Sequence, residues 1–443
     1  MGEPEKSSKL EKSRTMKKKV LLVGPILTQS GYGVHSRTIY KALKSREDLF
    51  DIYINPIPWG QTSWISENNE FRSEVDEVIR KTFAHIQQQK PFDITVMVTI
   101  PTEWKQYRAA PINIGVCAGI ESDRVSPHWL EGANLYVDKI IVTSEFSKEG
   151  FANAVWDVKN QMGQDIKLSL DKSIEVVNYP VEKEFLDPTD CIHDNLELRH
   201  DFNFLAVAQW GPRKNMENTI KYFLDEFRDD EVGLVLKLSI KDGSTIDYYE
   251  TKKRISNILN HYPKRSCSIN LIHGYMSKKE LASLYSHPKI KAMINFGHGE
   301  GYGLPLFEAS AIGLPVLTHD WGGQRDFLYA PKKDKKGKEK LRPHFSKVSY
   351  DLKPIQQEAV WDGVLQPESQ WAYPHGGGCQ IAMRNCYENY SLSQGQAKRL
   401  KKWVLKNFTE EKIYAKFNTA IEEYTEVVEL ESWLDQLSDI TED

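Results

Sequence analysis

Short apolar runs alternate with helical stretches along most of the chain, and this alternation constrains the fold more than any other feature of the sequence. The first run, residues 20–24, reads VLLVG; a polar turn follows it, and then a helical stretch that reaches Leu43. Apolar runs of this length are typical of strands buried on both faces of a parallel sheet. Further runs of the same kind lie at residues 51–55, 94–98, 112–116 and 139–144. Strands that alternate with helices predict an α/β layer structure with a parallel sheet.

The same alternation starts again at residues 202–208, which indicates a second doubly wound unit. The predicted strands that follow are residues 233–240, 268–272, 292–295 and 315–317. The predicted helices of this unit are residues 216–227, 278–285 and 304–312. With 443 residues the chain is too long for one core, since a single core seldom grows past roughly 250–300 residues. We therefore expect two Rossmann-like domains that face each other across a cleft.

The segments between and beyond these units suggest a domain plan. Residues 1–16 are highly charged, so we predict a disordered extension, with an electrostatic tether as the alternative. A linker is expected at residues 180–200, and the Lys-rich run at 331–345 is predicted to be a solvated loop insertion rather than a binding patch. The predicted divisions are the extension (1–16), an N-terminal domain (17–190), a C-terminal domain (191–395), helices that cross back to the N-terminal domain (396–428) and an acidic tail (429–443).

Composition argues against several classes of protein. A formal net charge of -4 leaves no basic excess for a nucleic-acid partner. The five cysteines are scattered and form no C-x-x-C pair, so neither a disulfide framework nor a zinc site is expected. The N-terminus lacks the pattern of a signal peptide, and no apolar run approaches the roughly 18 residues of a transmembrane helix. These observations predict a cytoplasmic protein, with peripheral attachment to a membrane as a further option.

Residues 295–309 carry the most specific signal, which is a pair of carboxylates on a glycine-rich entry to a predicted helix. Glycines on both sides of Glu300 allow a ligand to approach the backbone closely, and Pro305 is compatible with the first turn of a helix. Glu308 lies about one turn into that helix. Carboxylates accept hydrogen bonds from vicinal hydroxyls, so both acids are candidates for contact with a sugar or a ribose. The alternative, an acid that favours the helix dipole, explains one carboxylate but not the surrounding glycines.

Two further segments are suited to anions. The amides of residues 301–304 open the predicted helix, and helix N-termini bind phosphate groups. Arg213 and Lys214 follow the first strand of the second unit, where two adjacent cations could hold a diphosphate; the alternative is a solvated basic turn. Residues 30–36 form a weak G-x-G-x-x-G variant. The second predicted strand ends at Asn55 rather than at the acid that would hold a dinucleotide ribose, which counts against NAD.

The segment 295–309 resembles the E-x7-E signature of glycosyltransferase family 4, whose members are retaining enzymes of the GT-B fold. The likeness continues through residues 310–316 and extends, more thinly, over most of residues 20–425. The resemblance implies that Glu300 contacts the donor sugar and that Glu308 holds the ribose hydroxyls. It also makes the C-terminal domain the donor side and the N-terminal domain the acceptor side.

The basic turn resembles the phosphate site of this family. Lys214 stands at the position of the family's lysine, whereas many members place an arginine where this chain has Gln209, so Arg213 is the candidate substitute. Residues 119–129 resemble a Glu-Thr-Asp…Pro-x-x-Trp stretch of some members. Many relatives have an active-site histidine near here, and this chain offers Glu121 as the residue that would assist at the acceptor. A loop acid that caps a helix is the alternative for Glu121.

The resemblance implies further contacts with the donor. The glycine loop after the first strand, residues 30–36, would lie near the donor phosphates and the acceptor. The Gly-Tyr-x-Ser stretch at residues 274–277 would meet the nucleobase through its backbone. His298 would touch a donor phosphate, or else serve as a structural turn residue. Besides Glu308, the donor-binding candidates are Gly31, Gly33, Tyr275, His298, Gly301, Tyr302, Gly303 and Leu304.

The predicted activity is therefore that of a hexosyltransferase. It would transfer a sugar, with retention, from a UDP- or GDP-linked donor to a hydroxyl of an unidentified acceptor, which could be a glycan, a lipid, a protein or another molecule. The chain contains no Asp-x-Asp motif, so we predict metal-independent transfer and no cofactor besides the donor. The alternatives are a nucleotide-sugar epimerase or phosphorylase of the same fold, and a non-catalytic protein that binds sugar nucleotides.

Overall fold

The computed structural model describes residues 17–60, 62–159, 162–192, 195–334 and 337–425. The predicted N-terminal extension and acidic tail lie outside these residues. Two six-stranded sheets dominate the described structure, and every strand pair within each sheet is parallel. Their central strands are almost completely buried because helices cover both faces, which explains the continuous apolar runs in the sequence.

The first sheet has the strand order β2-β1-β3-β4-β5-β8, and a small antiparallel pair, β6-β7, lies beside it. The strands are β1 Lys18–Gly24, β2 Phe50–Pro56, β3 Ile94–Val98, β4 Ile112–Cys117, β5 Lys139–Val142, β6 Trp156–Lys159, β7 Asp165–Leu168 and β8 Ser173–Val176. The helices are α1 Gly31–Lys44, α2 Glu70–Gln87, α3 Trp104–Tyr107, α4 Pro127–Tyr136, α5 Glu145–Ala152 and α6 Lys183–Leu186.

The second sheet has the order β11-β10-β9-β12-β13-β16, with two antiparallel hairpins, β14-β15 and β17-β18, attached to the same half of the chain. The strands are β9 Asn203–Gln209, β10 Gly233–Ser239, β11 Ser268–Ile272, β12 Ile290–Asn295, β13 Val316–His319, β14 Tyr329–Lys333, β15 Glu339–Pro343, β16 Ser346–Val348, β17 Tyr350–Pro354 and β18 Gln370–Pro374. The helices are α7 Met216–Phe227, α8 Thr245–Leu259, α9 Lys278–Ser286, α10 Leu304–Ile312, α11 Arg325–Leu328, α12 Gly376–Glu388, α13 Tyr390–Asn407 and α14 Glu410–Ala420.

Each sheet reverses its strand order at one point. In the first sheet the reversal lies between β1 and β3, and in the second between β9 and β12. Ligands of open α/β sheets bind beyond the carboxyl ends of the strands at such a switch point. The loops that follow β9 and β12 carry Arg213, Lys214 and Glu300, so the fold itself places these candidates together.

Local sequence explains how the site helices begin. Ser30 caps α1, because its side chain accepts a hydrogen bond from the Gly33 amide. Gly303, with φ of 89°, precedes α10, and Pro305 lies in the first turn of that helix. A positive φ is readily adopted only by glycine, so the chain can turn sharply from the Glu300 loop into α10.

The Lys-rich run is exposed to solvent, as predicted, but it forms a hairpin and not a loop. Strands β14 and β15 pair as an antiparallel hairpin, and most of its side chains are exposed. Asp334 and Gly337 shape the turn: the Gly337 amide donates to the Asp334 carbonyl, and Gly337 has a φ of 78°. Ala330 is buried at the base of the hairpin and attaches it to the domain.

The end of the described chain returns to the first sheet. Helix α14 lies against α1, where the Asn418 side-chain amide donates to the Ala42 carbonyl at 3.0 Å. The Val181 amide donates to the Phe408 carbonyl at 2.7 Å, which joins the segment between the two sheets to the last helices. Across the described residues, no helix is both long and apolar enough to span a membrane.

Candidate functional site

Glu300 is the centre of a buried ion-pair cluster at the switch point of the second sheet. Glu300 is 6% exposed. Lys214 Nζ donates to Oε1, and Asn295 Nδ2 donates to the same oxygen at 2.8 Å. Arg213 Nη1 lies 3.4 Å from Oε2 and donates to the Gly299 carbonyl at 2.7 Å. The side chains that we predicted to be functional therefore connect the loop after β9 to the loop after β12.

The electrostatics keep Glu300 ionised. Burial alone would raise the pKa of this carboxyl, but the charges of Lys214 and Arg213, with hydrogen bonds from Lys214 and Asn295, lower it to about 2. Burial and the neighbouring Arg213 lower the pKa of Lys214, and Glu300 offsets this only in part. Two cations therefore lie within ion-pair distance of this one buried carboxylate.

The first domain contributes Glu121 to the same cluster. Glu121 Oε1 lies 3.2 Å from Arg213 Nη2, so Arg213 bridges acids from both domains. Burial would lower the pKa of Arg213, but Glu121 and Glu300 raise it. The contact gives Glu121 a structural ion-pair role that the sequence did not indicate.

The glycines around Glu300 allow the two domains to touch. A Cβ on Gly299 would lie 2.1 Å from the carbonyl oxygen of Glu121, and a Cβ on Gly301 would lie 3.1 Å from that of Ile120. Ser144 Oγ, also from the first domain, donates to the Gly301 carbonyl at 2.6 Å. We expected these glycines to admit a ligand, but in this structure it is the backbone of the opposite domain that they admit.

Glu308 lies in a second buried cluster, which contains one cation and two acids. Lys278 Nζ is 2.7 Å from Glu308 Oε1 and 3.0 Å from Glu182 Oε2. Tyr285 donates its hydroxyl to Glu308 Oε2 at 3.1 Å. Burial lowers the pKa of Lys278, but the two acids outweigh this and raise it. The pKa of Glu308 is also raised, because burial and the repulsion from Glu182 outweigh Lys278 and the hydrogen bonds.

The space beside Glu308 is narrow. A crevice of about 10 Å³ lies between α1 and α10, lined in part by Val34, Tyr179 and Glu308. A volume of that size holds about one water molecule. A ribose bound to Glu308 therefore requires α1 and α10 to move apart.

The remaining donor candidates lie along the cleft with different exposure. Gly31 and Gly33 form the first turn of α1; a Cβ on Gly33 would come within 2.2 Å of the Thr28 carbonyl, whereas Gly31 faces open space. Tyr275 reaches across the cleft and donates its hydroxyl to Glu67 at 2.6 Å.

The side chains of Tyr302 and His298 are turned away from the solvent of the cleft. Tyr302 is 3% exposed and packs against Tyr179 and Phe307, so only its backbone, with that of Gly301, Gly303 and Leu304, can serve a ligand. His298 is 3% exposed, and its Nδ1 lies 2.9 Å from the Ala372 carbonyl.

The neutral form of His298 limits what it can bind. Burial lowers its pKa, and Arg213 lowers it further, against the hydrogen bond to Ala372. A ring nitrogen that faces a carbonyl carries the proton, so Nδ1 is the donor and Nε2 is an acceptor. Nε2 is buried and has no partner among the described residues. An acceptor there suits a sugar hydroxyl better than a phosphate oxygen.

Sequence reasoning missed Lys278, Glu182 and Asn295. Lys278 follows Ser277, which forms a capping box with Glu280 at the start of α9, so the sequence indicates a helix start and gives no sign of an ion pair. Its two acids come from distant parts of the chain, and only the fold brings them together. In the described part of the chain, no group of three or more His, Cys, Asp or Glu side chains is placed to hold a metal ion.

Comparisons with known proteins show which proteins this chain is similar to. No protein-family model matches the chain. A serotype-specific mannosyltransferase of Escherichia coli, WbdA, is 25% identical over 210 residues, which are 46% of this chain and 23% of that protein. The match thus spans less than a quarter of the relative's length.

Several solved structures share the architecture over nearly the whole chain. Sucrose-phosphate synthase from Thermosynechococcus elongatus aligns with a TM-score of 0.61 and 13% identity, covering 92% of this chain and 99% of that one. HepE of Anabaena, solved with UDP and glucose, gives a TM-score of 0.55 at 12% identity, with 92% and 100% covered. The catalytic domain of starch synthase IV from Arabidopsis thaliana, bound to ADP and acarbose, gives a TM-score of 0.54 at 12% identity. That alignment covers 92% of this chain and 99% of the other.

The predicted fold is therefore confirmed: the chain has the GT-B architecture of two Rossmann-like domains. The proteins that it resembles are glycosyltransferases, in agreement with the enzyme class predicted from the sequence.

Proposed function

We propose that this chain is a hexosyltransferase that uses a nucleoside diphosphate sugar, and that it belongs to the retaining glycosyltransferase family 4. The carrying observation is the cluster of Glu300, Lys214 and Arg213 at the switch point of the second sheet. The names of similar proteins support the proposal, because one is a mannosyltransferase and another was solved with UDP and glucose.

The cations have the chemistry needed for the leaving group. When the bond between the sugar and the diphosphate breaks, negative charge grows on the phosphate oxygens. Lys214 and Arg213 can turn from the carboxylates toward that charge, and the first amides of α10 point out of the helix toward the same region. The helix amides are fixed by the backbone, and one preorganised donor is worth about 10²–10³ in rate. The proposed reaction therefore needs no metal ion at the diphosphate.

Glu300 and Glu308 have separate roles in this scheme. Glu300, ionised at neutral pH, accepts hydrogen bonds from hydroxyls of the donor sugar and orients it. Glu308 accepts from the ribose hydroxyls after the crevice beside it widens. No carboxylate is assigned as a nucleophile; the acceptor hydroxyl attacks from the face that the diphosphate leaves, which retains the anomeric configuration. Glu121 is proposed to assist at the acceptor.

The test is product formation from a panel of donors. The protein is incubated with UDP-, GDP- and ADP-linked sugars and a panel of acceptors, and products are identified by mass spectrometry. We expect one donor to give a glycosylated product, with unchanged activity in EDTA and with the donor's anomeric configuration seen by NMR. A changed sugar without any acceptor would indicate an epimerase. Tight donor binding without turnover on any acceptor would indicate a binding protein.

A further inference from the structure

The hairpin formed by β14 and β15 concentrates positive charge. In the pairing register, Lys332 lies opposite Lys340, and Ala330 lies opposite Arg342. The two side chains of a directly opposed pair lie on the same face of a hairpin, and so do side chains two residues apart on one strand. Lys332, Lys340 and Arg342 therefore lie along one face. Like charges directly opposite each other destabilise an antiparallel pair. An unoccupied hairpin therefore carries a repulsion that a bound anion would relieve.

This face of the hairpin borders a groove. The groove has a volume of about 370 Å³, and α13 forms its other wall. Its lining residues are Lys332, Lys333, Asp334, Arg342, Pro343, His344, Gln396 and Arg399. Four of them are cations and one is an acid. This volume lies within the range of small-molecule sites, which is about 300–1,000 Å³.

Among the described residues the four cations of the groove form no ion pair, although Glu339 stands opposite Lys333 in the hairpin register. Within the described ranges, no carboxylate lies within 4.0 Å of Lys332, Lys333, Arg342 or Arg399. Arg384 of the same domain, by contrast, contacts two acids. The groove is thus a concentration of uncompensated charge in a chain whose net charge is -4.

Charges from both walls meet at His344. This residue is 4% exposed at the bottom of the groove, where its Nδ1 contacts the Arg342 carbonyl at 2.8 Å. Burial lowers its pKa, and the charges of Arg399 from α13 and Lys332 from the hairpin lower it further, against that hydrogen bond. The charges of both walls therefore act on the same ring, and they would act in the same way on an anion bound in the groove.

We propose that this groove binds a phosphate-bearing ligand through two or more phosphate groups. Two arginines offer planar donor forks that match phosphate oxygens, and two lysines add mobile point charges. The phosphates could belong to a free polyphosphate compound or to neighbouring headgroups of an anionic lipid surface. The site shares no residue with the clusters of Glu300 and Glu308, so it does not depend on the function proposed for them.

The test compares two double charge reversals in the full chain. Lys332→Glu/Arg399→Glu changes one cation on each wall of the groove, and both side chains are exposed. Lys252→Glu/Lys253→Glu, on the exposed face of α8, is the matched control with the same change in charge. Circular dichroism melts check that both variants fold.

Binding is measured with two probes, tripolyphosphate in calorimetry and phosphatidylcholine vesicles containing phosphatidic acid in co-sedimentation. We expect the groove variant to weaken at least one interaction by about tenfold or more, the effect of losing a single charge-assisted contact. Loss with tripolyphosphate identifies a soluble ligand; loss with the vesicles alone identifies a lipid headgroup. The control also accounts for anions that bind at the donor site. Equal binding of both probes by the groove variant and the control variant would overturn the proposal.

Discussion

Lys278 lies between a buried carboxylate, Glu308, and a half-buried one, Glu182, and replacing it with methionine should leave their repulsion uncompensated. Its Nζ lies 2.7 Å from Glu308 and 3.0 Å from Glu182, and the side-chain exposures are 29% for Lys278, 9% for Glu308 and 24% for Glu182. Methionine keeps much of the length of the side chain and removes the ammonium group, with its charge and its hydrogen bond to Glu308. The variant therefore isolates the electrostatic role of Lys278.

Removing one partner of a buried ion pair costs about 3–5 kcal/mol, because the other charge stays buried without compensation. Lys278 is partly exposed, so we expect the low end, about 3 kcal/mol at neutral pH. The pKa of Glu308 is already raised by burial, and it rises further without Lys278. An acid with a raised pKa in the folded state destabilises the fold more as the pH rises through that pKa. The cost of Lys278→Met should therefore be smaller at acidic pH than at neutral pH.

Urea unfolding, followed by tryptophan fluorescence at two pH values, measures both effects. Lys221→Met is the control, because Lys221 makes an exposed helical pair with Glu217 that is worth at most about 0.5 kcal/mol. The double variant Lys278→Met/Glu308→Gln should recover part of the lost stability, since it removes one of the stranded charges. A cost equal to that of Lys221→Met, or a cost independent of pH, would refute this account of the cluster.

Three further predictions concern the contact between the domains and the leaving group. Gly299→Ala would place a Cβ 2.1 Å from the Glu121 carbonyl, so the domains should separate and the radius of gyration measured by X-ray scattering should grow. In the control Gly377→Ala the new Cβ would have no atom within 4 Å, so the radius of gyration should stay unchanged. Asp326 of α11 accepts hydrogen bonds from the Glu145 amide at 3.1 Å and the Asn178 side chain at 2.9 Å, yet burial raises its pKa to about 6. Wild-type stability should therefore fall as the pH rises from about 4 to about 6, and by calorimetry Asp326→Asn should gain up to about 3 kcal/mol relative to wild type at neutral pH and little near pH 4. An equal difference at both pH values would contradict this. Chelation by EDTA should leave transferase activity unchanged. A loss of activity that Mg²⁺ restores would show that Lys214 and Arg213 do not suffice to stabilise the leaving diphosphate.

The sheets and the helix entry at Glu300 were predictable from the sequence because their signals are local. Helix α10 spans Leu304–Ile312, as the sequence predicted, since a glycine, a proline and an apolar helix follow one another there. Strand β11, Ser268–Ile272, also has its predicted bounds. The assigned roles of the site residues stay predictions, but the fold does bring Glu300, Lys214 and Arg213 together.

The contacts that depend on the folded chain could not be predicted. Lys278 pairs with two acids that lie far from it in the sequence, and no repeat or periodic pattern in the sequence indicates that these segments meet. The glycines beside Glu300 gave no sign of whether a ligand or another backbone approaches them, and here it is the Glu121 carbonyl. The Lys-rich hairpin lacks the apolar alternation of ordinary strands; a glycine turn and the buried Ala330 hold it instead.

The affinity for nucleoside diphosphates tests the central claim most directly. UDP and GDP are titrated by calorimetry into the wild type, Lys214→Ala, Glu308→Ala and the control Lys221→Ala, with thermal melts to confirm folding. One nucleotide should bind the wild type and the control equally. Lys214→Ala should bind about tenfold more weakly or worse, because it loses a charge-assisted hydrogen bond worth about 1.5–3 kcal/mol, and Glu308→Ala should weaken through the lost ribose acceptor. Unchanged affinity in both variants would contradict the assignment of these clusters to the donor.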